Sequence, residues 1–347
     1  MRSILVEKPG NPGALTLAEV PDPQPTSGFE LVRVTRAGVN FRDLHMRENG
    51  YLEPVEYPFT PGCEVVGVAA DGRRVAALVP SGAYAEKVLA PKDLTWDIPD
   101  DVSDEQACAL TLQGQSAYHM LFTTLDLQRG ETVLVPAAAG GLGSLAVQLA
   151  KAEGIRVIAL EAGESRQQLA RTLGADAVVD SSTVDELDKR ITEAAGGRVD
   201  AALAVAGSPA LSPTLKALTP RGRMAVFGCA SGKYDALLLD PLVAESKTIR
   251  GFWLRTLFAD PDYPFHLMDS MEALCGFVRS GQLQPLIGPV HDLSTAIWAH
   301  LAVDEGRTCQ PAGKIMLDPT RPDPSSPGVT YETRPATPPF SIGWGGL

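Results

Sequence analysis

The stretch Thr132-Val-Leu-Val-Pro-Ala-Ala-Ala-Gly-Gly-Leu-Gly-Ser-Leu-Ala-Val-Gln-Leu-Ala-Lys-Ala152 decides the fold. Its run Val133–Val135 is apolar enough for a buried strand. Leu142, Leu145, Ala146, Leu149 and Ala150 recur at i, i+3, i+4, i+7 and i+8, one stripe of a helix over 142–153. Between the two lies Ala138-Ala-Gly-Gly-Leu-Gly143. A chain that turns sharply from strand into helix, and lets a pyrophosphate approach its backbone, needs glycine where a side chain would intervene. The helix N-terminus then offers unpaired N–H groups and the positive end of its dipole to phosphate. Gly140, Gly141 and Gly143 meet these needs, although Ala138 stands where the first glycine of G-x-G-x-x-G is usual. A tight turn without ligand is the competing reading. The uncharged run 133–150 approaches the ~18 residues of a membrane span. Pro136, the three glycines, Ser144 and Gln148 instead suit a turn between two buried elements.

Downstream the alternation continues with a strand over 156–160, a helix over 165–173, and strands over 177–179, 201–205 and 224–227. A further helix is expected to begin at the capping box Thr183-Val-Asp-Glu186. Such alternation predicts a parallel sheet covered by helices, a doubly wound Rossmann-type unit over 116–254. Upstream, residues 1–115 read as short strands. Those over 64–70 and 73–79 flank Asp71-Gly72, a dipeptide suited to a type I′ turn, so this unit is mostly β. Residues 255–318 mix helices with apolar runs and are expected to complete the first unit. From Pro319 to Leu347, seven prolines and four glycines exclude regular structure. That stretch is read as a flexible tail, or as an extended arm docking Phe340 and Trp344 on a partner subunit.

A chain of 347 residues exceeds one ordinary core, so two domains are expected in an α/β protein. A net charge of −12 leaves no field to neutralise a phosphate backbone, which excludes nucleic acid as a partner. The five cysteines are scattered, with no C-x-x-C pair, and favour neither disulfides nor a metal knuckle; a reducing cytoplasm fits them. Residues 1–10 lack the apolar core of a secretory signal, and no membrane association is expected.

Eight segments, taken in order, are specific: Ala37-Gly-Val-Asn-Phe-Arg-Asp43, Pro61-Gly-Cys-Glu64, Gly82-Ala-Tyr-Ala-Glu86, Leu112-Gln-Gly-Gln-Ser-Ala-Tyr118, Val133–Gly143, Leu173-Gly-Ala-Asp176, Thr248-Ile-Arg-Gly-Phe-Trp-Leu254 and Gly313-Lys-Ile315. Together they resemble the medium-chain dehydrogenase/reductase superfamily, in its quinone oxidoreductase and enoyl reductase branches, over 1–318. The resemblance implies a GroES-like catalytic domain interrupted by a dinucleotide-binding domain, an active site in the cleft between them, and a homodimer. Zinc-dependent members carry metal ligands where this chain has Asn40, Cys63-Glu64 and Leu112. Leucine cannot bind metal and an amide binds zinc poorly, so three protein ligands are not assembled and no metal is expected. By the same resemblance Tyr51 matches a proton-donating tyrosine and Ser116 the position of a nicotinamide-contacting threonine. Ala139, Leu142, Gly228 and Phe252 complete the implied cofactor contacts. Asn40 offers an amide donor, with turn capping as its plainer role; Tyr51 has packing as its alternative. Asp43 is read as holding its loop through a bond to backbone.

Without a Lewis acid, reduction of an electron-poor C=C or a quinone by NAD(P)H is the expected reaction, since it needs only donors for the developing negative charge. A tailoring reductase acting on one large biosynthetic intermediate, and a nucleotide-binding sensor or scaffold without catalysis, are the alternatives. Glu161 ends the second strand of the alternating region, where a carboxylate accepts hydrogen bonds from ribose hydroxyls and repels a 2′-phosphate. This favours NADH over NADPH, unless Arg166 comes forward to hold that phosphate. A solvated glutamate is the remaining option for Glu161.

Overall fold

The computed structural model describes residues 1–52, 54–228, 240–259, 264–305 and 313–321. The proposed tail, with Phe340 and Trp344, lies almost wholly outside them.

The alternating region forms a six-stranded sheet in the order Ala177–Asp180, Arg156–Glu161, Thr132–Pro136, Val199–Val205, Leu218–Phe227, Thr248–Phe252, every neighbour parallel. Numbered by their own sequence these strands run 3-2-1-4-5-6, the doubly wound arrangement whose ligands sit beyond the carboxyl ends of the strands at the switch between 1 and 4. The quoted stretch occupies that switch. Its strand Val133–Val135 is wholly buried because helices cover both faces. The helix Gly141–Ala152 presses Leu145, Leu149 and Ala150 onto the sheet, and each leucine so buried contributes ~1.5–3 kcal/mol.

The first unit is a seven-stranded sheet in which Phe29–Gly38 pairs antiparallel with Glu64–Ala69 and with Lys314–Asp318. The chain re-enters this sheet at Ile287–Asp292. The helix Pro264–Arg279, by contrast, packs Met271 and Leu274 among Leu110, Leu121 and Leu145. That same core cluster holds Val66, Trp96 and Met316 of the first sheet together with Val133 of the second. The two units therefore meet through continuous apolar packing.

Two local expectations are corrected. At Asp71-Gly72 only Gly72 is left-handed, with φ +91°, whereas a type I′ turn needs both residues there. Asp71 is not left-handed, and its carboxylate accepts the Arg73 N–H at 3.1 Å. Gly72 N–H bonds Ala69 O, and the extra left-handed glycine closes the hairpin. The capping box at Thr183–Glu186 does not form. The helix starts at Leu187, after Glu186 at φ 49°, because burying Leu187 and Ile191 fixes its first turn. The Arg190 side chain, not Glu186, ties back to the Asp180 and Thr183 carbonyls. Among the described residues no helix is long and apolar enough to cross a membrane.

Candidate active site

The cofactor loop is built by close packing. Ala137 sits in the left-handed region at φ 47°, a strained position for a residue with a Cβ. Its carbonyl is turned against the helix start. A Cβ on Gly143 would lie 2.1 Å from Ala137 O, and one on Gly141 would lie 2.4 Å from Gln113 Oε1. Gly143 is required by space, since it meets backbone, whereas at Gly141 the Gln113 side chain would have to move. The first-turn N–H groups of the twelve-residue helix lack intrahelical acceptors and face the strand ends. This cradle fits a dinucleotide pyrophosphate.

Glu161 is 2% exposed, not solvated. Its carboxylate accepts the Ala139 N–H at 2.8 Å and the Arg166 Nε–H at 2.8 Å. Glu161 and Arg166, read from sequence as opponents in cofactor choice, are partners. The pair braces the loop from below. Gly228, at φ +60°, follows the fifth strand of this sheet, and Phe252 ends the sixth, in register with Phe227. Both stand at the same carboxyl edge. Ser116 lies buried on the helix Gln115–Tyr118.

In the first unit, Asn40 precedes the helix Phe41–Arg47 and its backbone N–H donates to Asp43 Oδ2 at 2.9 Å, so Asp43 does hold the loop. The Asn40 side chain points elsewhere. Its Nδ2 donates to Glu64 Oε1 at 2.7 Å, and its Oδ1 accepts from Lys314 Nζ at 2.7 Å. Lys314 also donates to Glu64 Oε1. The second carboxylate oxygen accepts the Leu112 N–H at 2.8 Å. Leu112 is free to donate because the helix widens to i→i+5 turns over Leu110–Gly114, a distortion that recurs at functional sites. Gly38 is required beside this group, since a Cβ there would meet Glu64 Oε1 at 2.1 Å. Glu64 and Lys314 are 0% and 1% exposed. Burial works against the charge on Lys314, but the Glu64 carboxylate outweighs it and the ammonium pKa ends above its usual value.

The positions matched to zinc ligands thus hold a different chemistry. Leu112 has no ligating side chain, Asn40 and Glu64 are engaged by an ammonium, and burial pushes the Cys63 thiol up to about 12. This donor set does not fit zinc.

Tyr51 meets Trp253, which follows the last strand of the second sheet, edge to face at 6.3 Å; the Arg42 guanidinium lies 5.4 Å over the Tyr51 ring. The tyrosine therefore bridges the two units. Burial raises its pKa, while the Arg42 charge and a hydrogen bond with Trp253 work the other way. The lowered value that would favour an acid is not found, because burial outweighs both. Behind this wall a chain of bonds runs Arg47 to His300 Nδ1 at 2.8 Å, His300 Nε2 to Tyr84 Oη at 3.3 Å, and Tyr84 to Asp43 Oδ2 at 3.1 Å. Arg47 can only donate, so His300 is neutral with its proton on Nε2, and Tyr84 donates to Asp43. Burial and the Arg47 charge lower the His300 pKa to about 3, and burial raises that of Asp43 to about 6. His119 is structural, bonded to Thr123 and Ser270.

Sequence reasoning singled out Asn40 but missed Glu64, Lys314 and Gln113 as parts of its setting. Gln113 joins the two halves. Its Nε2 is 3.5 Å from Asn40 Oδ1, and its Oε1, buried with no hydrogen-bond partner among the described residues, lies against Gly141.

A parallel sheet with a phosphate cradle at its switch point, facing a polar group on a second sheet, defines a two-domain dinucleotide-dependent oxidoreductase. Residues 27–100 match the family model described as alcohol dehydrogenase GroES-like domain, and residues 141–272 that of zinc-binding dehydrogenase. The chain belongs to the medium-chain dehydrogenase/reductase superfamily, in its quinone oxidoreductase-like branch. A probable quinone oxidoreductase of Schizosaccharomyces pombe is 30% identical over 90% of this chain and 96% of its own length. A 2-haloacrylate reductase of Burkholderia is 31% identical over 91% and 98%. The structure of Escherichia coli quinone oxidoreductase complexed with NADPH superposes with a TM-score of 0.84 at 28% identity, over 92% of this chain and all of that one.

Proposed function

We propose that the protein catalyses NAD(P)H-dependent reduction of a quinone or of an activated C=C, in the cleft between residues 1–115 with their return strands and residues 116–254. The carrying observation is Gln113, whose one side chain spans from Asn40 to Gly141 and so sets the donor group beside the cofactor loop. The names of the fungal and Burkholderia relatives support the reaction class.

The cofactor supplies the hydride when bound. The loop 138–143 holds its pyrophosphate, and Ser116, Gly228 and Phe252 line its approach. Asn40 gives an N–H to the oxygen on which negative charge develops. Tyr51 stays protonated through neutral pH and delivers the proton. Between cofactors we choose NADH, although the Escherichia coli relative was solved with NADPH. The support is the engagement of Arg166 by Glu161, which offsets the cation a 2′-phosphate would need. A homodimer formed along the exposed edge strand Thr248–Phe252, in the cytoplasm, completes the reading.

Steady-state cofactor oxidation with enones, enoyl thioesters and quinones tests the proposal. Turnover with at least one acceptor is expected, falling ~10²-fold in Tyr51→Phe. Cofactor binding without turnover of any acceptor would transfer the protein to the sensor class.

A further inference from the structure

Asn40 has a carboxamide whose two ends are held by opposite charges. Oδ1 accepts from the Lys314 ammonium and Nδ2 donates to the Glu64 carboxylate, which fixes which end is oxygen and which nitrogen. An ammonium on the amide oxygen withdraws electron density from the amide nitrogen, so the remaining Nδ2–H becomes a stronger donor. That second hydrogen has no acceptor among the described residues. Glu64 has both oxygens occupied, by Lys314 and Asn40 on one and Leu112 on the other, so it cannot swing away to release Lys314. Glu64 and Lys314 are shut from solvent and Asn40 is nearly so, and a fixed charge acts more strongly there than in water.

We propose that Lys314 is a positioning residue for the reduction: it orients and polarises the Asn40 amide, so that this chain uses a protein ammonium where its zinc-dependent relatives use a metal. Lys314 acts through Asn40 and touches neither cofactor nor acceptor. The inference rests on the proposed reduction and on the role of Asn40 in it.

The test is a double-mutant cycle in turnover between Lys314→Met and Asn40→Ala. Lys314→Met leaves Glu64 buried and unpaired, so the Lys314→Met/Glu64→Gln pair, in which neither charge remains, is measured beside it in both Asn40 backgrounds. Lys314→Met should lower kcat ~10- to 100-fold, the scale on which groups that orient an active ligand act, with cofactor Kd unchanged. Lys314→Arg should restore part of the loss. In the Asn40→Ala background, Lys314→Met should cost nothing further, an outcome that a merely structural lysine would not give. Equal losses in both backgrounds, or full turnover in a folded Lys314→Met protein, would overturn the inference. Full turnover of Asn40→Ala would overturn it as well, while leaving hydride transfer standing; absence of turnover in the wild type would instead strike the proposed function.

Discussion

Glu161→Ser separates two effects proposed for one carboxylate. The first is support of the loop. The carboxylate accepts the Ala139 N–H at 2.8 Å, and a hydrogen bond to a charged group contributes ~1.5–3 kcal/mol. Since the loop serves both cofactors alike, kcat/KM for NADH and NADPH should fall together, by ~10- to 100-fold at 1.36 kcal/mol per tenfold. The second is charge. Two unit charges ~4 Å apart interact by ~1 kcal/mol in water and ~4 kcal/mol at the effective dielectric of a partly buried site. Glu161 is 2% exposed and Arg166 13% exposed along its side chain, so the upper part of that range applies. Removing the carboxylate also takes from the guanidinium its bond to Glu161. The ratio of kcat/KM for NADPH to that for NADH should rise ~10- to 1000-fold. Steady-state kinetics with both cofactors and one acceptor reads the two effects independently. A fall in both values at an unchanged ratio would show that Glu161 only braces the loop, and would refute its part in cofactor choice.

Gly143→Ala would set a Cβ 2.1 Å from Ala137 O and 2.8 Å from its carbonyl carbon, backbone atoms that cannot rotate aside. The helix must lift from the strand at a cost of ~1–3 kcal/mol; thermal unfolding should come earlier, and cofactor titration should show weakened binding, whereas wild-type values for both would contradict the packing argument. His300→Gln tests the buried chain by pH. The His300 pKa, lowered from 6.5 to about 3, means that its neutral form stabilises the fold above pH 6.5 and that this is lost as pH falls toward 3. Asp43, raised from 3.8 to about 6, has the opposite sign: its contribution is complete below pH 3.8 and is lost as pH rises through 6. Glutamine can accept from Arg47 and donate to Tyr84 without titrating. The Tm of His300→Gln relative to wild type should therefore climb between pH 7 and pH 4; a constant difference would mean that His300 does not titrate as argued.

The parallel sheet was legible because strands covered on both faces read as unbroken apolar runs, as at Val133–Val135. The loop was legible because Gly143 must be glycine for steric reasons that the spacing carries. Helix starts were less so: Thr183 and Glu186 satisfy a capping pattern, but burial of Leu187 and Ile191 fixes the real start one turn later. Asn40 could be picked out as a polar residue at a metal-ligand position. Its partners could not, since Lys314 stands 250 residues from Glu64 and no periodicity links them. The setting of Tyr51 could not be read either, since its edge-to-face partner Trp253 comes from the other unit, a contact that no local pattern encodes.

Lys314 belongs to the strand Lys314–Asp318, which pairs with Phe29–Gly38 across nearly the whole chain. During synthesis Glu64 emerges early and must wait for the ribosome to deliver its counter-ion some 250 residues later. The first sheet is thus the last to be finished, although its strands are made first. Closing so long a loop costs only slightly more entropy than closing a short one, but it cannot happen before the intervening unit exists. Maturation of the site is consequently tied to completion of the cofactor unit, and a nascent chain acquires its internal cation only after the second sheet has been made.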